Sequence, residues 1–161
     1  MHPATTFAFA AAISVCLMGC VGLASTDASY VPPQASAADE SGWESYVDAP
    51  TVDAASADGI NPRADTPEAA VVEFLASRVR GDGEWRGAIV AAPSDRTKRQ
   101  LEHWDNWTLE RFQLRGRKAR DADTVSIKVF FEISIDGRSD AGEDEFEVVL
   151  EGDQWRIASP P

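Results

Sequence analysis

From Val125 to Ile135 the chain alternates apolar and polar residues: Val125, Ile127, Val129, Phe131, Ile133 and Ile135 on one side, Ser126, Lys128, Glu132 and Ser134 on the other, with Phe130 the exception. Successive side chains of a strand point to opposite faces, so this pattern demands a long strand with one buried face and one mostly wet face. Neighbours for it are legible on both sides. Phe112 and Leu114 open a preceding strand that continues through Arg115, Arg117 and Arg120. Asp136-Gly137 is a hairpin turn signal, and Phe146, Val148 and Leu150 alternate again in the returning strand. Gly152-Asp153 turns once more, Trp155 and Ile157 form a last short strand, and Pro160-Pro161 end the pairing because proline lacks the donor.

A sheet with one apolar face must be covered, and the residues before it supply the cover. Thr66 can cap a helix, Pro67 suits its first position, and Val71, Phe74, Leu75 and Val79 fall on one face before Gly81 stops it. Ser94 or Asp95 can cap a second helix running to about Trp104, with Leu101 and Trp104 as its small apolar face. Between them, Gly81 to Pro93 reads as a loop, with Ala88 to Ala92 able to form one helical turn. The order predicts an α+β domain over residues 62–161, with N-terminal helices packed on a curved antiparallel sheet.

The N-terminus reads as an address. Phe7 to Gly19 is an almost unbroken run of apolar and small residues, the length of a signal-peptide core and too short for a bilayer span. Leu17-Met18-Gly19-Cys20 resembles the lipobox of bacterial lipoprotein signal peptides. That resemblance implies removal of residues 1–19 and lipid attachment at Cys20. It implies a protein anchored to the envelope, at the outer membrane and facing the periplasm. Met18 departs from the commoner small residue of the motif, and the first six residues carry no Lys or Arg. The alternatives are a secreted or soluble periplasmic protein and an uncleaved anchor. Residues 20–61 are rich in Ala, Ser, Asp and Gly, acidic, and without any Lys or Arg, which predicts a flexible tether. Trp43 and Tyr46 interrupt it as an aromatic pair that brushes the domain.

The run Thr66 to Leu75, the spacing to the alternating strand and the closing Trp155-Arg156-Ile157 resemble NTF2-like domains, over about Asp65 to Pro161. Another cystatin-like helix-on-sheet fold is the alternative. NTF2-like domains are cone-shaped, and some bind small molecules or move protons inside the cone. The resemblance therefore implies a cavity, with Trp104, Trp107 and Phe112 as ligand-contacting candidates and His103, beside Trp104 and near Asp105, as the candidate catalytic base. The bland reading of His103 is a half-exposed helix residue, and no motif places a second acid or base with it. Gly81 to Asn106 matches the family poorly, which leaves the depth of the pocket open.

Charge and composition remove other classes. With a net charge of -12 the chain is a poor nucleic-acid binder. Its two cysteines, Cys16 and Cys20, both precede the domain, so neither a disulfide framework nor a thiolate metal site belongs to it. Asp140, Glu143, Asp144, Glu145 and Glu147 lack the ordered spacing of a calcium loop and read as an exposed acidic hairpin. The basic residues Arg111, Arg115, Arg117, Lys118 and Arg120 could meet anionic headgroups, but cross-strand pairing with the acidic strand is the simpler reading. No phosphate loop, serine-nucleophile motif, metal site or cofactor is expected. The sequence reading is a non-enzymatic binding or interaction module on a lipid anchor, with an envelope protein or small ligand as partner. The polar strand face also permits a homodimer. An enzyme working through His103 is the alternative.

Overall fold

The computed structural model describes residues 30–60, 62 and 65–161. The expected signal segment 1–19, the expected lipid site Cys20 and the start of the expected tether lie outside them. No helix among the described residues is long and apolar enough to cross a membrane.

The strand order follows from the alternation. Strands β3 (Thr108–Ala119), β4 (Thr124–Ile135), β5 (Arg138–Glu151) and β6 (Gln154–Ser159) form an antiparallel meander. Along β4 the register places Leu114, Val129 and Asp144 in one row and Phe112, Phe131 and Gly142 in another. Ile127, Val129, Phe131 and Ile133 are buried, while Lys128, Phe130 and Glu132 on the other face stay half-exposed. Positive φ at Asp136 and Gly137, 50° and 75°, makes the two-residue turn between β4 and β5.

Helix α2 (Pro67–Arg80) lies against the apolar face of this sheet. Thr66 accepts the Ala69 N–H at 3.1 Å, and Gly81 closes the helix at φ 70°. Its small residues Ala69, Ala70 and Ala76 are buried along with Val71, Val72, Phe74 and Leu75, so most of its circumference is packed. Helix α3 (Asp95–Asp105) is capped by Ser94, and only Thr97 and Trp104 are buried on it. The Trp104 indole N–H reaches the Pro161 carbonyl at 3.1 Å. The sequence placed both helices to within a residue or so at each end. A helical turn does exist between them, but it is a 3₁₀ turn at Glu84–Ala88, earlier than the expected Ala88 to Ala92. Trp85 fixes it by packing edge-on to Phe74, with centroids 5.5 Å apart, whereas Ala91 and Ala92 are exposed and have nothing to bury.

The tether expected over 20–61 is corrected from Tyr30 onward. Strand β1 (Glu44–Ser45) and strand β2 (Thr51–Asp53) both add antiparallel to the outer edge of β3, and α1 (Ala54–Ala57) follows and contacts α2. Ala49, Val52 and Ala57 join the core, and the ammonium of Lys128 lies 4.3 Å from the centre of the Trp43 ring. The segment is a strap rather than a spacer. Its pairs are two and three residues long, too short to register as a period, and its few apolar side chains are buried only because the β3 edge is there to receive them. The acidity that suggested self-repulsion is complementary to β3: Glu44 meets Arg117 at 2.7 Å. Gly116 makes the approach possible, since a Cβ there would stand 2.7 Å from the Glu44 carbonyl oxygen.

Candidate functional site

The space where a cone cavity was expected is occupied by rings. Phe74 of α2 meets Trp104 edge-on at 5.5 Å and Phe146 at 5.8 Å, and Trp104 stands 5.6 Å from Phe131. Edge-to-face contacts at these separations are a favourable packing mode for aromatic cores. Trp104 and Phe112, expected to touch a ligand, are therefore core residues, 0% and 1% exposed. They are apolar residues at the helix–sheet seam, and packing claims them first. His103 lies one residue from Trp104, about 100° round α3, and is exposed to solvent. A helix turns about 100° per residue, so burying Trp104 sends His103 outward.

Trp107 is half-buried beside Trp104 and borders a surface cleft of about 320 Å³ with Trp85, Arg78 and Asp105. Arg78 is the floor of that cleft. Its guanidinium lies 5.3 Å from the Trp85 ring centre and 5.9 Å from that of Trp104. It donates to Asp105 at 2.8 Å and to the Trp104 carbonyl, so it ties the end of α3 to α2. Nearby, the Ser77 hydroxyl donates to Asp82 and accepts the Trp85 N–H at 2.8 Å. Burial pushes the Asp82 carboxyl up, but hydrogen bonds from Ser77, the Glu84 N–H and Arg80 together outweigh it and hold the carboxyl below its ordinary range.

A second polar group, beneath the strap, had no sequence signal. Glu68 in the first turn of α2 is 3% exposed. It accepts from the Tyr46 hydroxyl at 2.8 Å and from Arg117 at 3.3 Å. Burial, reinforced by Glu68, pushes the Tyr46 and Tyr30 phenols well above their ordinary range, so both remain protonated. The arrangement clamps the strap to α2 and β3.

The basic tract of β3 is spent within the chain. Arg115 and Arg120 reach Glu143 and Glu145 of β5 at 3.4 and 3.5 Å, the pairing with the acidic strand that the sequence suggested. Arg111 instead pairs with Glu132, Arg117 with Glu44 and Glu68, and Lys118 donates to the Ser41 carbonyl at 2.6 Å.

The remaining feature is the far side of β5. Strand β6 pairs with β5 only from Glu147 to Glu151, while β4 pairs with β5 from Arg138 to Val149. The chain leaves the edge after Ser159: Pro160 is buried, and Pro161 turns to the Trp104 indole. Arg138 to Phe146 therefore has β4 on one side and, among the described residues, no strand on the other. A groove of about 540 Å³ runs there between β5 and the Arg96 and Gln100 side chains of α3. Among the described residues no cluster of three or more His, Cys, Asp or Glu could hold a metal ion.

No family model, no curated protein and no solved structure matches the chain.

Proposed function

We propose that this chain is a lipid-anchored protein of the bacterial envelope whose NTF2-like domain works by contact, as a non-enzymatic interaction module. The filled interior carries this reading. An NTF2-like enzyme needs a cavity between helix and sheet with a titratable group facing it. Here Phe74, Trp104, Phe131 and Phe146 fill that seam, and the candidate base His103 faces water. The helix-on-sheet architecture supports an NTF2-like or related cystatin-like domain, and Leu17-Met18-Gly19-Cys20 supports the anchor at Cys20.

Native mass spectrometry of the full chain, extracted in mild detergent, tests the reading. A protein mass with no small molecule that departs on denaturation is the expected result. A stoichiometric small molecule released on denaturation overturns it and turns attention to the cleft at Arg78 and Trp107.

A further inference from the structure

We propose that the edge of β3 at Arg115 to Lys118 is a docking site for an extended acidic segment of a partner protein, and that the chain's own residues 34–47 occupy it until such a partner displaces them. The inference rests on the reading of the domain as an interaction module and supplies the class of partner.

Residues 34–47 form a hairpin of their own. The Val47 N–H bonds the Gln34 carbonyl and the Ser36 N–H bonds the Ser45 carbonyl, both at 2.8 Å, and Gly42 turns the chain at φ 81°. The hairpin is laid on β3 through two paired residues, Glu44↔Arg117 and Ser45↔Gly116, and through the Tyr46 N–H, which donates to the Arg115 carbonyl at 3.0 Å. No residue from 30 to 48 is fully buried, whereas Ala49, Val52 and Ala57, which follow, belong to the core. Hydrophobic stabilisation scales with the apolar area removed from water, so lifting the hairpin gives up little of it, while lifting β2 would open the core. Between the two stands Asp48 at φ 54°, a value uncommon for a residue with a side chain, and it marks the joint at which the hairpin can part from β2.

The seated hairpin shows what this edge accepts. It carries Asp39, Glu40 and Glu44 and no Lys or Arg. Arg117 holds Glu44 at 2.7 Å and also reaches Glu68 at 3.3 Å. Lys118 donates to the Ser41 carbonyl at 2.6 Å, and the Lys128 ammonium lies 4.3 Å from the centre of the Trp43 ring. Neither lysine forms an ion pair among the described residues: Glu145, opposite Lys128 on β5, is taken by Arg120, and Glu143 by Arg115. Lifting the hairpin strips Lys118 and Lys128 of their contacts and uncovers the outward main-chain groups of β3. An incoming strand restores them if it is extended, bears a carboxylate opposite Arg117 and brings an aromatic ring to Lys128. The seat is cut for backbone, since a Cβ on Gly116 would stand 2.7 Å from the Glu44 carbonyl oxygen. Main-chain pairing gives such strand addition its affinity and side-chain charge its selectivity. A segment of the same chain already in the seat lowers the apparent affinity for the partner by the fraction of molecules in which it is lifted.

The test uses the full chain in mild detergent and, as probe, a fluorescent synthetic peptide of residues 39–47, with a copy in which Asp39, Glu40 and Glu44 are replaced by Lys as control. Glu44→Lys in the chain sets a like charge against Arg117 and unseats the hairpin, and amide NMR checks that β4 and β5 stay folded. This variant should bind the acidic peptide about tenfold or more tighter than the wild-type chain does. Shifts should concentrate at residues 115–118 and 128, and the Lys peptide should not bind. Gly116→Ala also unseats the hairpin but closes the seat to any backbone, so it should bind the acidic peptide no better than wild type. Equal tightening by both variants would mean charge attraction without strand pairing and overturn the inference. Failure of the Glu44→Lys chain to bind the acidic peptide also overturns it, as do shifts confined to other parts of the sheet. If Glu44→Lys does not fold, Trp43→Ala, which frees Lys128 without adding a charge, takes its place with the same expectation. A wild-type particle of twice the chain's mass that the peptide dissociates would make the occupant a second copy's hairpin and overturn the partner assignment. None of these failures touches the interaction-module reading, which stands or falls on the native mass.

Discussion

Glu73 carries an unusual charge for its position. It is half-buried on α2, packed so closely on the 3₁₀ turn that a Cβ on Gly87 would lie 3.3 Å from its carboxylate. Burial pushes its carboxyl up, Arg156 opposes this, and Glu84 adds to it. A carboxyl raised in the folded state favours folding only while protonated. That contribution is complete below the unfolded value of about 4.3 and is lost as pH rises through the folded value. Glu73→Gln should therefore raise the thermal midpoint at pH 7, with the gain shrinking to nothing below about pH 4; thermal unfolding monitored across this range checks both limits. At this scale the sequence was legible where neighbours are local. The caps Thr66 and Ser94 and the pairing of Arg115 and Arg120 with β5 could be read from it. The Tyr46–Glu68–Arg117 group could not, because its members are brought together only by the strap and sheet. Trp104 and Phe112 were found as important aromatics but assigned to a ligand, since an apolar ring reads the same in a core as in a pocket wall.

Among the elements, period and length decided what could be foreseen. Strands β3 to β6 and helices α2 and α3 are long enough to repeat their pattern, and each was read from it. Strands β1 and β2 are too short to repeat anything, and the composition around them imitates a linker. Their seating is testable at one atom. Gly116→Ala would place a methyl 2.7 Å from the Glu44 carbonyl oxygen, against backbone rather than a movable side chain. The expected outcome is release of β1 at a cost of about 1–3 kcal/mol, with β3 to β6 intact. Faster exchange of the Tyr46 amide, which now donates to the Arg115 carbonyl at 3.0 Å, would report it. If residues 30–53 were a free spacer, the variant would behave as wild type.

At the scale of the whole molecule, the asymmetry of the charge was legible from the start, but its meaning depends on which parts touch. The acidic strap closes over basic β3, and the acidic β5 edge is left open. The proposed anchor is a matter of address rather than fold. Cys20→Ser should leave the precursor unprocessed or release the protein from membranes, since each buried CH₂ of a lipid chain contributes about 0.8 kcal/mol and no helix among the described residues is long and apolar enough to cross a membrane; membrane fractionation with mass measurement of the N-terminus reads both. The strap also determines where mechanical load enters such a protein. Tension from a lipidated Cys20 would arrive first at Tyr30 and at the pairing of Gln34 and Ser36 with Val47 and Ser45, before it reached β3 and the meander. Those few hydrogen bonds, with the Glu44–Arg117 and Tyr46–Glu68 contacts, would yield first and lengthen the connection while the meander stayed folded.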